Sequence, residues 1–84
     1  MKTLFLRRVK GKSMLPAFGD GKIVVASGLL PVKTKSVVVA RWNRKEIIKR
    51  VISIDSDSVR LAGDNLGDSL KVKVQRSDIL GVVL

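Results

Sequence analysis

The sequence predicts a mainly β fold, a small antiparallel sheet that is partly closed towards a barrel. Three observations carry this expectation. Apolar residues fill 45% of the 84 positions, enough for a core. They fall in six short runs rich in valine and isoleucine, a composition that suits a pleated, half-buried surface. Between the runs stand clusters of Gly, Asp, Asn, Ser and Pro, spaced too closely for long helices. No linker, repeat or low-complexity tract interrupts them, so residues 1–84 read as a single domain.

The first run, residues 23–26, follows the turn Gly19-Asp20-Gly21. Residues 28–31, Gly to Pro, separate it from the run 36–42. Asn43-Arg44 then joins Val37 to Ala40 with Ile47-Ile48 as a hairpin, the second strand covering 46–54. Asp55-Ser56-Asp57 leads into residues 58–62, and Gly63-Asp64-Asn65-Leu66-Gly67 leads towards 70–74. Ser77-Asp78 precedes the closing run 79–84.

Composition excludes much chemistry. The chain has no Cys, so it has neither a disulfide nor a thiol nucleophile. It has no His, so imidazole bases, Ser-His-Asp triads and His-ligated metals are excluded, and no cofactor or metal site is expected. Acid–base work near neutral pH is left to a lysine or a carboxylate in an unusual environment. The net charge is +10, and it is uneven. Residues 1–50 hold 13 Lys/Arg against Asp20 and Glu46, whereas residues 51–84 are close to neutral. That asymmetry suits an anionic partner, phosphate or acidic lipid, or else a well-solvated surface. No apolar run approaches the ~18–20 residues of a membrane span. Leu4-Phe5-Leu6 runs straight into Arg7-Arg8, too short for a signal-peptide core. A soluble or peripheral protein is expected, and nothing in the residues specifies an oligomeric state.

Three segments stand out. Gly11-Lys12-Ser13-Met14-Leu15-Pro16 makes a tight turn presenting Ser13, either as a reactive hydroxyl or as the cap of a short helical turn. Ile47-Ile48-Lys49-Arg50-Val51-Ile52 places two cations in an apolar strand, on opposite faces. Desolvation disfavours an ammonium, so Lys49 is a candidate neutral base; the alternative is an edge strand with snorkelling cations. Gly63-Asp64-Asn65-Leu66-Gly67-Asp68-Ser69 supplies a carboxylate that can pair with Arg50 and a hydroxyl that can orient an amine. It also reads as an ordinary polar turn.

Together and in this order, Ser-Met-x-Pro after a glycine, Lys-Arg-Val in a strand and Gly-Asp-Asn-x-x-x-Ser resemble the type I signal peptidase family. That family belongs to the Ser–Lys protease clan that includes the self-cleaving SOS-response repressors. The resemblance implies Ser13 as nucleophile, within the motif residues Met14 and Pro16, and Lys49 as general base. It implies Arg50 and Asp64 as a supporting ion pair after Gly63, and Ser69 as the hydroxyl positioning the base. The implied function is a serine endopeptidase that removes a leader or pro-segment from a precursor polypeptide.

Some residues depart from the family pattern. Leu70-Lys71-Val72-Lys73 replaces the family's second ion-pair segment, Gly11 stands where relatives carry a hydroxyl, and Gly21-Lys22 replaces Gly-Asp. With no anchor before Ser13, the chain reads as a minimal catalytic core. The family's bilayer-facing apolar surface near the nucleophile implies membrane contact through Leu4, Phe5, Leu6, Leu15, Phe18 and especially Trp42, at a hairpin tip. The basic charge suits an anionic membrane surface; the alternative is that Leu4, Leu6, Leu15 and Phe18 fill the small core. Two other classes were weighed. A non-catalytic basic β-domain could bind nucleic acid or anionic membrane, but Phe5, Phe18 and Trp42 are too few aromatics for a base-stacking platform, so nucleic acid is disfavoured. A self-cleaving regulator would need more than the 12 residues preceding Ser13.

Overall fold

The computed structural model describes residues 3–67 and 71–84. It contains β1 (Leu4–Arg8), β2 (Ile23–Ser27), β3 (Val37–Trp42), β4 (Lys45–Ile54), β5 (Ser58–Ala62), β6 (Val72–Gln75) and β7 (Ile79–Val83), with a 3₁₀ turn at Arg76–Asp78. All belong to one antiparallel sheet in the order β1-β2-β7-β3-β4-β5-β6. The fold is mainly β, without an α-helix among the described residues.

The sheet has seven strands where the sequence suggested six. The additional one, β1, has the sequence Leu-Phe-Leu-Arg-Arg, which carries no β-branched residue. It is a strand because it pairs along the whole of β2, from Leu4 opposite Ser27 to Arg8 opposite Ile23. β4 lies between β3 and β5 and pairs with β5 from Arg50 onward, so the edge-strand explanation fails for Arg50. The β3–β4 hairpin turns through Asn43 and Arg44, both at positive φ (53° and 66°), the condition a two-residue type I′ turn imposes. Trp42 sits beside this turn, yet its ring packs against the larger core cluster.

Arg7 of β1 and Glu46 of β4 form a forked ion pair, although three strands separate β1 from β4 in the sheet order. The sheet therefore curls until its first strand faces β4, making a half-barrel. Side chains alternate between two clusters on its faces. Val38, Ala40, Val51, Val59, Leu61, Val74 and Val82 form the larger one. Val9, Met14, Val24 and Val37 form the smaller, joined by Ile48, Phe18 and Val83. Met14 enters from the loop after β1, which ties that loop to the barrel interior.

Leu61 is completely buried at the centre of the larger cluster, so Leu61→Ala leaves a cavity. It is expected to cost about 2–5 kcal/mol, a large share of what so small a fold possesses. Ile52, half-exposed where the β4–β5 register shifts, should cost under ~1 kcal/mol as Ile52→Ala. Urea unfolding followed by circular dichroism measures both.

Candidate active site

The segment before β2 is a run of turns. Leu15 N–H donates to the Lys12 carbonyl (3.2 Å) and Phe18 N–H to the Met14 carbonyl (2.9 Å). These are single turns and not an assigned helix. Gly11 opens the segment at φ +82°, a left-handed conformation that glycine adopts without steric cost, and its N–H donates to Asp20 Oδ1 (2.8 Å). The turn chemistry therefore accounts for Gly11. Met14 is fully buried while Leu15 and Pro16 are exposed, so the loop is pinned by one side chain and leaves Ser13 half-exposed.

The loop is also held from outside. Asn65 N–H donates to the Ser13 carbonyl (2.8 Å), and Asn65 Nδ2 donates to the Lys12 carbonyl (3.0 Å). Gly63 makes this approach possible. A Cβ there would lie 3.0 Å from both the carbonyl carbon and the Cβ of Ser13, and would collide with its carbonyl oxygen. Ser13 thus occupies the space of the side chain that Gly63 lacks.

That space lies next to Lys49. In the β4–β5 register Val51 stands opposite Leu61 and Arg50 opposite Ala62. Lys49 precedes Arg50 and Gly63 follows Ala62, so the two lie just beyond the paired stretch at the same end of β4 and β5. Lys49 itself is half-buried, with Val38 opposite it on β3 and completely buried.

Arg50 points the other way. Its Nε and Nη2 donate to Asp64 Oδ1 and Oδ2 at 2.7 and 2.8 Å, and its Nη1 donates to the Lys35 carbonyl (2.7 Å). The fork raises the guanidinium pKa of Arg50 and holds the Asp64 carboxyl below its ordinary value, in each case chiefly through these hydrogen bonds. Asp64 lies between Gly63 and Asn65, so the pair anchors the serine-holding segment to the strand that carries Lys49. Ser69, assigned above to orient the base, lies outside the described residues, as does Asp68.

Ser13 and Lys49 line one cleft of about 430 Å³, with β1 residues on one wall and residues 45–49 of β4 on the other. Residues 45–48 pair with β3 on one side and, among the described residues, with no strand on the other. The Arg7–Glu46 pair spans this cleft, and sequence reading missed it because the partners are 39 positions apart on strands that do not pair. No group of His, Cys, Asp or Glu suited to a metal occurs among the described residues.

An all-β half-barrel with a serine loop packed against a lysine-bearing strand, in a chain without histidine, defines a candidate hydrolase site. The chain belongs to the Peptidase S24-like family, whose model matches residues 1–84. It is also similar to Signal peptidase I of two Streptococcus pneumoniae strains, 39% identical over 61 residues. That match covers 70% of this chain and 30% of the length of each relative. No solved structure matches it.

The Asp64 carboxyl is lowered in the fold, so the ion pair's contribution to stability is present above the ordinary carboxylate pKa and is lost as pH falls through the depressed one. Wild type should exceed Asp64→Asn in stability at neutral pH, and the gap should close below about pH 4. Thermal melts of both proteins across pH 2–7 (roughly, spanning carboxylate titration) measure this.

Proposed function

We propose that the protein is a serine endopeptidase of the signal-peptidase type, which removes a leader or pro-segment from a precursor polypeptide. The observation that carries this is Ser13 standing in the empty side-chain position of Gly63 and lining the same cleft as the half-buried Lys49. In this reading the neutral Lys49 amine takes the Ser13 proton as Oγ attacks the scissile carbonyl carbon. The tetrahedral oxyanion is held by backbone N–H groups, including that of Ser13. It collapses to an acyl-serine as the lysine returns the proton to the departing amine. Water, deprotonated by the same lysine, then hydrolyses the ester and restores both groups. Arg50 and Asp64 are positioning residues, acting through the Gly63–Asn65 segment, and Ser69 is assigned the same kind of role towards Lys49.

The edge of β4 at residues 45–48, which no strand among the described residues covers, offers an extended peptide a strand to add to, with backbone hydrogen bonds supplying affinity. Ser13→Ala and Lys49→Ala should each lower peptide cleavage by ~10³-fold or more without unfolding the protein. The double variant should be little worse than either, because the two groups act as a unit. Peptides with small residues before the scissile bond, followed by mass spectrometry, test this; a folded Ser13→Ala protein that cleaves at the wild-type rate overturns it.

For location, we propose contact with an anionic membrane surface. No helix among the described residues is long and apolar enough to cross a membrane. Of the contact residues suggested by the sequence, Trp42 and Phe18 pack against the core clusters, and the Phe5 ring covers Gly81. Leu4, Leu6 and Leu15 are exposed, Leu4 and Leu6 on β1 together with exposed Ile23 and Val25 on β2. Co-sedimentation with vesicles containing anionic lipid should fall for Leu4→Gln/Leu6→Gln and with rising salt. Equal recovery of variant and wild type sinks the assignment.

A further inference from the structure

The cleft beside Ser13 is cationic at its far end, beyond what the proposed chemistry uses. Its walls carry Arg7, Arg8, Lys10 and Lys45 in addition to Lys49, against one carboxylate, Glu46. Arg7 already neutralises Glu46 through a fork. The Glu46 carboxyl is held below its ordinary value first by that hydrogen bond and further by the nearby charges of Arg7, Arg41 and Lys10. Arg7 is fixed in place, since its Nη1 also donates to the Leu6 carbonyl and its guanidinium lies 4.9 Å from the Phe5 ring centroid. Arg8, Lys10 and Lys45 remain without a salt-bridge partner among the described residues.

From this lining we infer that the cleft selects substrates with an acidic side chain three to five residues from the scissile bond. The distance follows from the strand. From Lys49 to Lys45 along β4 is four residues, about 13 Å at the rise of an extended chain. A peptide laid on this edge with its scissile bond at Ser13 carries its third to fifth residue past Lys45, Glu46 and Lys10. A basic residue there meets like charge from Lys45 and Lys10, and a neutral one gains nothing, whereas a carboxylate meets cations that no salt bridge among the described residues engages. These groups are exposed, so each pair is weak and screened by salt, and the discrimination comes from several acting together.

The inference rests on the peptidase reading, and its test separates the two. A neutral parent peptide is made with a single Glu, Gln or Lys walked through five positions on each side of the scissile bond. Binding to Ser13→Ala is read by fluorescence anisotropy, without turnover, and cleavage by the wild-type protein is read in parallel. Glu should lower Kd by ~5-fold or more relative to Gln, only three to five residues from the bond and on one side of it. The ratio should shrink as salt rises through ~0.15 M, where the Debye length is about 8 Å. Lys10→Glu/Lys45→Glu should invert the preference, so that Lys peptides bind more tightly than Glu peptides.

Equal Kd values for Glu and Gln, a gain spread evenly over all positions, or a Glu preference that survives the charge reversal each overturn the inference. So does binding to anionic vesicles that the reversal abolishes while the peptides show no preference, since the charge then reads lipid headgroups. Selective binding without wild-type cleavage overturns the peptidase reading alone. Cleavage without selectivity overturns the acidic preference alone.

Discussion

The close approach of Gly63 to Ser13 is the constraint on which the site depends. A β-strand normally projects a side chain at each position, and one at the end of β5 would fill the space beside Lys49. With hydrogen in its place, the backbone of another loop enters that space, and Asn65 secures it through two hydrogen bonds to the Lys12 and Ser13 carbonyls. The loop's remaining freedom is removed by Met14, buried on the other side. Two hydrogen bonds to loop carbonyls and one buried thioether thus fix the backbone of the serine loop beside the end of β5.

The Arg50–Asp64 fork extends this constraint into the sheet. A bidentate guanidinium–carboxylate pair fixes orientation as well as distance, which a lysine at position 50 would not do. Arg50 also donates to the carbonyl of Lys35, a residue at φ +77°, so one side chain ties the Gly63–Asn65 segment, β4 and the entry to β3 together. Lys49 lines the same cleft as Ser13, and Arg50, next to it in the strand, holds the segment against which the serine loop rests. Exposure moderates the energetic weight of the pair, since the Arg50 side chain is 36% exposed and Asp64 18%, and its geometric role is the greater one.

Arg7 and Glu46 do at the mouth of the cleft what Arg50 and Asp64 do behind it. They join strands that share no backbone hydrogen bonds and so mark where the curled sheet closes on itself. The same curl brings the basic residues of β1 to the basic N-terminal end of β4. The chain's uneven charge is thereby gathered into one concave surface, where a ligand would meet it as a field and not as scattered single charges.

Strand positions, turns and the mainly β class were legible in the sequence because they depend on local properties: β-branched runs, Gly and Asn at turns, and alternation along β4. The Ser-Met-x-Pro, Lys-Arg-Val and Gly-Asp-Asn segments were legible for the same reason, each being contiguous. The strand β1 was not, because Leu-Phe-Leu-Arg-Arg has no strong preference of its own and becomes a strand only by pairing with β2. Trp42 was misjudged because its turn position suggested exposure, while the curl of the sheet brings core against its ring. The sequence by itself determined which chemical groups exist and on which elements they ride. Only the tertiary structure decided that Ser13 fills the void at Gly63 and that Arg7 meets Glu46, since both require the sheet to curl and chain segments tens of residues apart to pack, and packing is not encoded by any one segment.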